Sequence, residues 1–448
     1  MTVATGAKIT AADNNTLKNL CDSKAVEAGI ANTGLDDVSP GDKFIASWHT
    51  TLIEKHNALV ELSNEDNDTQ NVVSPGDRIT AILYSTMLSQ LNAMTFLSEG
   101  YTKIACGEFH TLAVDVDGAG WSWGRNIVGQ LGDNTTINRS IPVSVVGGHT
   151  FTKIACGDYH TLAVDSAGVV WAWGHNNYGQ LGDNTNDHKS VPVSVVGGHT
   201  FTKIACGNYH SLGVDSAGVV WAWGHNNNCQ LGDNTQDDKN TPVSVVGGHT
   251  FTKIAAGYDH SLGVDSAGAG WAWGHNGYGQ LGNNTNDHKS TPVSVVGGHT
   301  FTKIACGDYH SLAVDSAGAG WAWGYNNYGQ LGDNTQYNKN TPVSVVGGHT
   351  FTKIACGEFH SLAVANSAGW SWGHNTLGQL GDNTNDHKSV PASVVGGHTF
   401  TKIAAGYDHS LAVDSAGAGW AWGYNNYGQL GDNTTTDKNI PVSVYGPA

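Results

Sequence analysis

Charged side chains are scarce in this chain: they make up 13% of its 448 residues, too few for a disordered polyelectrolyte or a long-helix protein. Basic residues are scarcer still, 21 against 38 acidic, which leaves a net charge of −17. Residues 1–100 carry −7 of that charge and the rest −10. Both parts are acidic, so binding to nucleic acid is not expected. No apolar run approaches the length of a membrane span, which argues against membrane insertion. The N-terminus also lacks the basic region and apolar stretch of a secretory signal peptide, so Sec-type export is not expected. Glycine, by contrast, is plentiful at 60 residues, a composition suited to short strands joined by many tight turns.

What is present is a unit of about fifty residues that recurs seven times, beginning at Tyr101, Phe151, Phe201, Phe251, Phe301, Phe351 and Phe400. A period of this length signals an array or a closed ring of structural repeats. The copy at Phe151 predicts strands over 151–156 and 160–165, a turn at Ser166-Ala167-Gly168, a third strand over 169–174, and a fourth over 191–196 that tolerates Pro192 only near its start or on an edge. Four short strands per unit make one propeller blade. A ring of blades buries both faces of every sheet and leaves no open end, so a closed ring is expected over a solenoid.

The run IACGDYHTLAVDSAG, then VVWAWGHNNYGQLGDNT, then PVSV, resembles the regulator of chromosome condensation repeat, over residues 101–448. The resemblance implies a mainly β fold, a seven-bladed propeller of four-stranded antiparallel blades closed by pairing strands from the two ends of the propeller sequence. It does not fix a function: members of the family include guanine nucleotide exchange factors, chromatin binders and an inhibitor of β-lactamase. The basic tails expected of chromatin-binding members are absent here.

Residues 1–100 read as a small helical anchoring or oligomerising domain. Ile9, Phe44 and Ile79 align at a spacing of 35, as do Leu17, Leu52 and Met87, and Pro40-Gly41-Asp42 and Pro75-Gly76-Asp77 would launch helices with apolar stripes. These short segments resemble parts of phage tail-fibre or tail-associated proteins.

Comparison between copies separates construction from specificity. Five of the seven cysteines share one repeat position, where copies four and seven have Ala256 and Ala405. Such an exchange suits a tight apolar site, and one thiol per repeat suits a reduced protein rather than a disulfide framework. His160, Trp171, Trp173, Gly179 and Leu181 recur in essentially every blade and are read as structural. Copy three has Cys229 where copy two has Gly179, a strained choice if the position needs a positive φ. The acid–aromatic pair Asp158-Tyr159 is reversed in copies four and seven, as Tyr258-Asp259 and Tyr407-Asp408. The candidate binding surface, at and beside the positions where the copies differ, comprises Asp158, Tyr159, His175, Asn176, Asn177, Tyr178, Asn228, Tyr325 and Tyr424, with the loop along 184–189 beside them. That loop lacks the ordered acids of a calcium site, so no metal and no cofactor is expected, and no unrepeated set of nucleophile and base suggests an enzyme.

The resulting expectation is a non-enzymatic display protein of a phage-like virion or tail, on the particle or an extracellular surface. It would contact other virion or surface-assembly proteins through residues 1–100, bind a host receptor or glycan, and form a homo-oligomer. The alternative is a cytoplasmic protein-interaction scaffold.

Overall fold

The computed structural model describes residues 100–446, which contain strands and turns and no helix. The helical domain expected over residues 1–100 lies, apart from Gly100, outside the described residues, as does Cys21. The 28 strands form seven four-stranded sheets, each made of four consecutive strands. All pairings are antiparallel, and the first strand of each sheet neighbours the first strands of the two adjacent sheets, around a central axis. Blades one to seven span 103–144, 151–194, 201–244, 251–294, 301–344, 351–393 and 400–443.

In blade two the strands are Phe151–Cys156, His160–Asp165, Val170–Gly174 and Lys189–Ser194. The first two match the sequence reading, the third starts one residue later, and the fourth starts two residues earlier than expected. That shift places Pro192 inside the outermost strand, at a break in the ladder between the Gly174–Lys189 and Ala172–Val193 pairings. An edge strand tolerates the missing N–H there.

Each blade comes from one repeat, and this corrects the expected closure: among the described residues no sheet combines strands from both ends of the propeller. The ring is instead sealed by contacts between whole blades. Tyr101 N–H donates to Gly417 O at 3.1 Å and Tyr101 Oη to Tyr445 O at 3.1 Å, while Tyr101 and Trp123 pack with Leu411, Val413, Leu430 and Val444.

The same construction joins every neighbouring pair. Leu112 and Val114 of blade one meet Phe151, Ala163 and Trp173 of blade two in one buried cluster, and burying each such large apolar side chain is worth about 1.5–3 kcal/mol. Across this seam His110 Nε2 lies 3.0 Å from Thr161 Oγ1. The Thr161 hydroxyl donates to Gln130 O at 3.1 Å, and Trp173 Nε1 donates to the same carbonyl at 3.0 Å. Because the hydroxyl proton is committed to the carbonyl, the hydroxyl oxygen accepts from the Nε2–H of histidine. The clasp repeats as His160–Ser211 at 2.8 Å and so on around the ring to His409–Thr111 at 3.3 Å. Burial lowers His160 to about 3, so the ring is neutral at pH 7 and keeps the single N–H that the clasp uses. A side chain at Gly157 would collide with the His160 ring and with Gly207 O of the next blade, which explains a glycine at this corner in every copy.

Trp171 acts within its own blade, where its Nε1 donates to Asp165 Oδ2 at 2.8 Å and pins the turn before it. Gly179 has φ 80°, and Cys229 holds the same place with φ 65°. Leu181 is fully buried.

Two outcomes test this seam. Ser211→Ala leaves the buried His160 Nε2–H without its acceptor and the Gln180 carbonyl with Trp223 Nε1 as its remaining donor, and should lower unfolding free energy by about 1–3 kcal/mol in urea titration. Cys229→Gly should raise it by about 1 kcal/mol through relief of the left-handed backbone; a neutral or destabilising result would show that residue 229 is not strained.

Candidate functional site

Each innermost strand ends at the glycine of the His corner, and the two residues that follow turn over one mouth of the axial channel. Backbone bonds link these corners from blade to blade, with Glu108 N–H donating to Asp158 O at 3.3 Å, Tyr258 N–H to Asp308 O at 3.3 Å, Glu358 N–H to Tyr407 O at 3.1 Å and Tyr407 N–H to Glu108 O at 3.3 Å. The constriction they surround has a volume of about 110 Å³ and is lined by the thiol positions, the glycines, and Asp158, Asn208, Asp308, Glu358 and Tyr407. The repeated cysteines therefore face the channel as well as the core: Cys156 packs against the blade-one cluster and also lines the constriction. All six described cysteines are free thiols.

Carboxylates crowded into this narrow mouth resist ionisation. Burial, then Asp308, Glu108 and Asp259, push Asp158 well above the usual carboxylate range. Burial, then Glu358 and Glu108, do the same to Asp308. Glu358 rises to about 8, chiefly by burial, with a hydrogen bond from Tyr407 working in the other direction. Glu108 is raised by burial and partly relieved by Tyr159 and Arg125.

Around the acids runs a crown of aromatic rings. Tyr159 stacks on Tyr209 at 5.6 Å, Tyr258 on Tyr309 at 5.5 Å and Tyr309 on Phe359 at 5.9 Å, and Phe109 meets Tyr407 at 5.7 Å. The reversed pairs fit this crown. In blades four and seven the aromatic residue comes first and still joins the crown, while the acid turns to the preceding blade: Asp259 accepts from Gln230 at 2.6 Å and Asn228 at 2.8 Å, and Asp408 lies 3.3 Å from His374 Nδ1. A second tier comes from the blade tips. His175 and Tyr178 pack on Tyr209 at 5.2 and 5.1 Å, Tyr325 on Phe359 at 5.4 Å, and Tyr424 on Phe109 at 5.4 Å.

The structure thus brings Asp158, Tyr159, His175, Tyr178, Asn228, Tyr325 and Tyr424 to one mouth of the channel. Asn177 is exposed at the tip, its carbonyl accepting from Asn186 at 2.8 Å. Asn176 departs from expectation: it is fully buried, donating to Asp183 and Thr185 O and accepting from Leu181 N–H at 2.9 Å. Its amide folds the tip and leaves nothing for a ligand. The loop after it also binds the next blade, since Asn184 N–H donates to Asn240 O at 3.0 Å. Glu108, Asp308 and Glu358, the counterparts of Asp158 in other copies, and Tyr209, the counterpart of Tyr159, lie on the same face. The signal for all of them is the dipeptide after the corner glycine; what the sequence does not show is how the acids crowd one another across the axis. Arg125 is singular: its guanidinium lies over Phe109, Tyr159 and Tyr427 at 5.2–5.6 Å and 3.5 Å from Glu108.

Residues 85–395 match the RCC1-like domain, and residues 400–429 and 417–448 match the regulator of chromosome condensation (RCC1) repeat. The chain belongs to the RCC1-like family. Among solved structures, human WBSCR16 is similar with a TM-score of 0.65 and 23% identity, covering 70% of this chain and 87% of its own. Prp20p of Saccharomyces cerevisiae, described with its binding to Gsp1p and histones, has a TM-score of 0.63 and 25% identity, covering 70% of this chain and 82% of its own. Yeast RCC1 (Prp20) in complex with Kap60 has a TM-score of 0.65 at 22% identity, covering 78% and 84%. These findings overturn the expected virion or tail appendage: what the chain matches is the RCC1-like domain and solved RCC1-type propellers. The phage tail-fibre resemblance, the virion partners and the host glycan find no support in them.

The acids make a pH test with a definite sign. A carboxyl raised in the folded state stabilises below its ordinary value near 4.5, and that contribution is lost as pH rises to about 8. Glu358→Gln should therefore match the parent's melting temperature below pH 4.5, exceed it increasingly up to pH 8, and hold a constant advantage above. A gap that is flat with pH would contradict the burial of Glu358.

Proposed function

We propose that this RCC1-like chain is a non-enzymatic, intracellular protein-interaction propeller whose acid-and-aromatic mouth receives a basic segment of a partner protein. The observation that carries this is concentric: carboxylates at the axis, including Asp158, Asp308 and Glu358, inside a crown of aromatic rings that pack in groups, Tyr159 on Tyr209, Tyr258 on Tyr309 and Tyr309 on Phe359, and Tyr407 against Phe109. Carboxylates accept from lysine or arginine, and the faces of surrounding tyrosines attract the same cations. An entering cation would also draw the raised carboxyls back toward their ionised form. Prp20p, similar in fold at 25% identity, is described as binding histones, which are basic proteins, and Gsp1p. The free thiols accord with a reducing compartment. The division into residues 1–100 and a propeller over 101–448 belongs to the same reading.

Titration calorimetry of the full chain with a lysine- and arginine-rich peptide tests it, with a glutamate-rich peptide of equal length as the control. The basic peptide should bind, more weakly as salt rises. Tyr278→Ser with Tyr424→Ser, both at tips that pack on the crown, should weaken binding about tenfold, in line with the loss of two cation–π contacts. Equal binding of the acidic peptide, or indifference to both substitutions, would sink the reading.

A further inference from the structure

The other mouth of the channel has the opposite character. The innermost strands enter the ring with the sequence Thr-Lys-Ile, and in blade two Lys153 lies five residues before Asp158, roughly 16 Å along an extended strand. Lys153, Lys203, Lys253, Lys303 and Lys353 line an open cup of about 510 Å³ around the axis, with isoleucines Ile154, Ile204, Ile254, Ile304 and Ile354 beside them. Lys402 completes the ring together with Lys103: burial first, and then the charges of Lys353 and Lys103, hold its ammonium below the ordinary lysine value. Among the described residues none of these seven ammonium groups has a carboxylate partner, whereas the outer-strand lysines do, as with Lys189 at 3.7 Å from Asp183. Seven like charges converge on one cup in a protein whose net charge is −17.

We propose that this cup is a binding site for a compact multi-phosphate anion, such as an inositol polyphosphate or a short inorganic polyphosphate. The volume falls in the range of small-molecule sites, about 300–1,000 Å³, and lysine is a point-charge phosphate binder with a flexible stem. The ring supplies donors from all sides, which matches a ligand whose phosphates point outward from a small centre. An extended polyanion fits poorly. A nucleic acid strand would have to leave the cup across a surface that is acidic overall and would be repelled there. The site shares no residue with the acid-and-aromatic mouth.

The test is titration calorimetry of the full chain with inositol hexakisphosphate and with tripolyphosphate, against inorganic phosphate and a single-stranded oligonucleotide. Binding of either compact anion at least tenfold tighter than inorganic phosphate supports the proposal, and the tighter of the two identifies the source. Lys203→Gln with Lys303→Gln should weaken it at least tenfold, while Lys189→Gln on the outer strand and Tyr278→Ser at the other mouth leave it unchanged. Retained basic-peptide binding by the double lysine variant checks that the ring has folded. The proposal is overturned if neither compact anion binds, if the double variant binds as tightly as the parent, or if the oligonucleotide binds equally well. A loss of peptide binding with intact phosphate binding would instead count against the other mouth alone.

Discussion

The structure depends on one carbonyl per blade. Gln130 O accepts from both the Thr161 hydroxyl and the Trp173 indole of the following blade, and the same oxygen in Gln429 accepts from Thr111 and Trp123 to close the ring. Neither donor can be satisfied within its own sheet, because both are buried against the neighbour. An incomplete ring would leave an indole N–H and a hydroxyl unpaired at its open end, at a cost of about 1–3 kcal/mol each. Hydrophobic packing brings blades together without much regard for angle; the paired donors set the angle. Seven repetitions of that angle complete a circle.

The clasp also explains the two chemically distinct mouths. It holds each innermost strand in the same orientation, so whatever lies at its start is repeated around one mouth and whatever follows its end around the other. Lysine at the third position becomes a ring of positive charge, and the acids that follow the corner glycine in four of the seven blades gather their carboxyls at the opposite mouth. Net charge says nothing of this, because both mouths belong to one acidic chain. Repetition converts single residues into fields.

Much of this is legible in the sequence, and the reasons for success and failure differ by residue. The strands Phe151–Cys156 and His160–Asp165 follow from alternation and from the glycines bounding them. The outer strand is displaced from its expected place because Pro192 looks like a strand start, yet at an edge it costs no ladder bond. Asn176 looks like a surface amide beside variable neighbours, yet asparagine stands at its place in all seven copies, the mark of a structural residue whose donors turn inward to Asp183 and Thr185. The lysine ring is hidden because Thr-Lys-Ile reads as ordinary alternation. Only the circular arrangement gives Lys353, Lys402 and Lys103 one another as neighbours. The reversal in Tyr258-Asp259 and Tyr407-Asp408 is visible, but its meaning needs the stacking partners Tyr309 and Phe109.

That each blade is cut from a single repeat has a consequence for how such a chain changes over generations. In a ring sealed by a sheet with strands from both termini, the two ends are committed to each other. Here a clean duplication or loss of one repeat adds or removes a whole sheet and severs none. Recombination between near-identical copies can therefore alter the blade count while every surviving strand keeps its hydrogen-bonded partners, and only the curvature of the circle, set at the clasps, has to absorb the change.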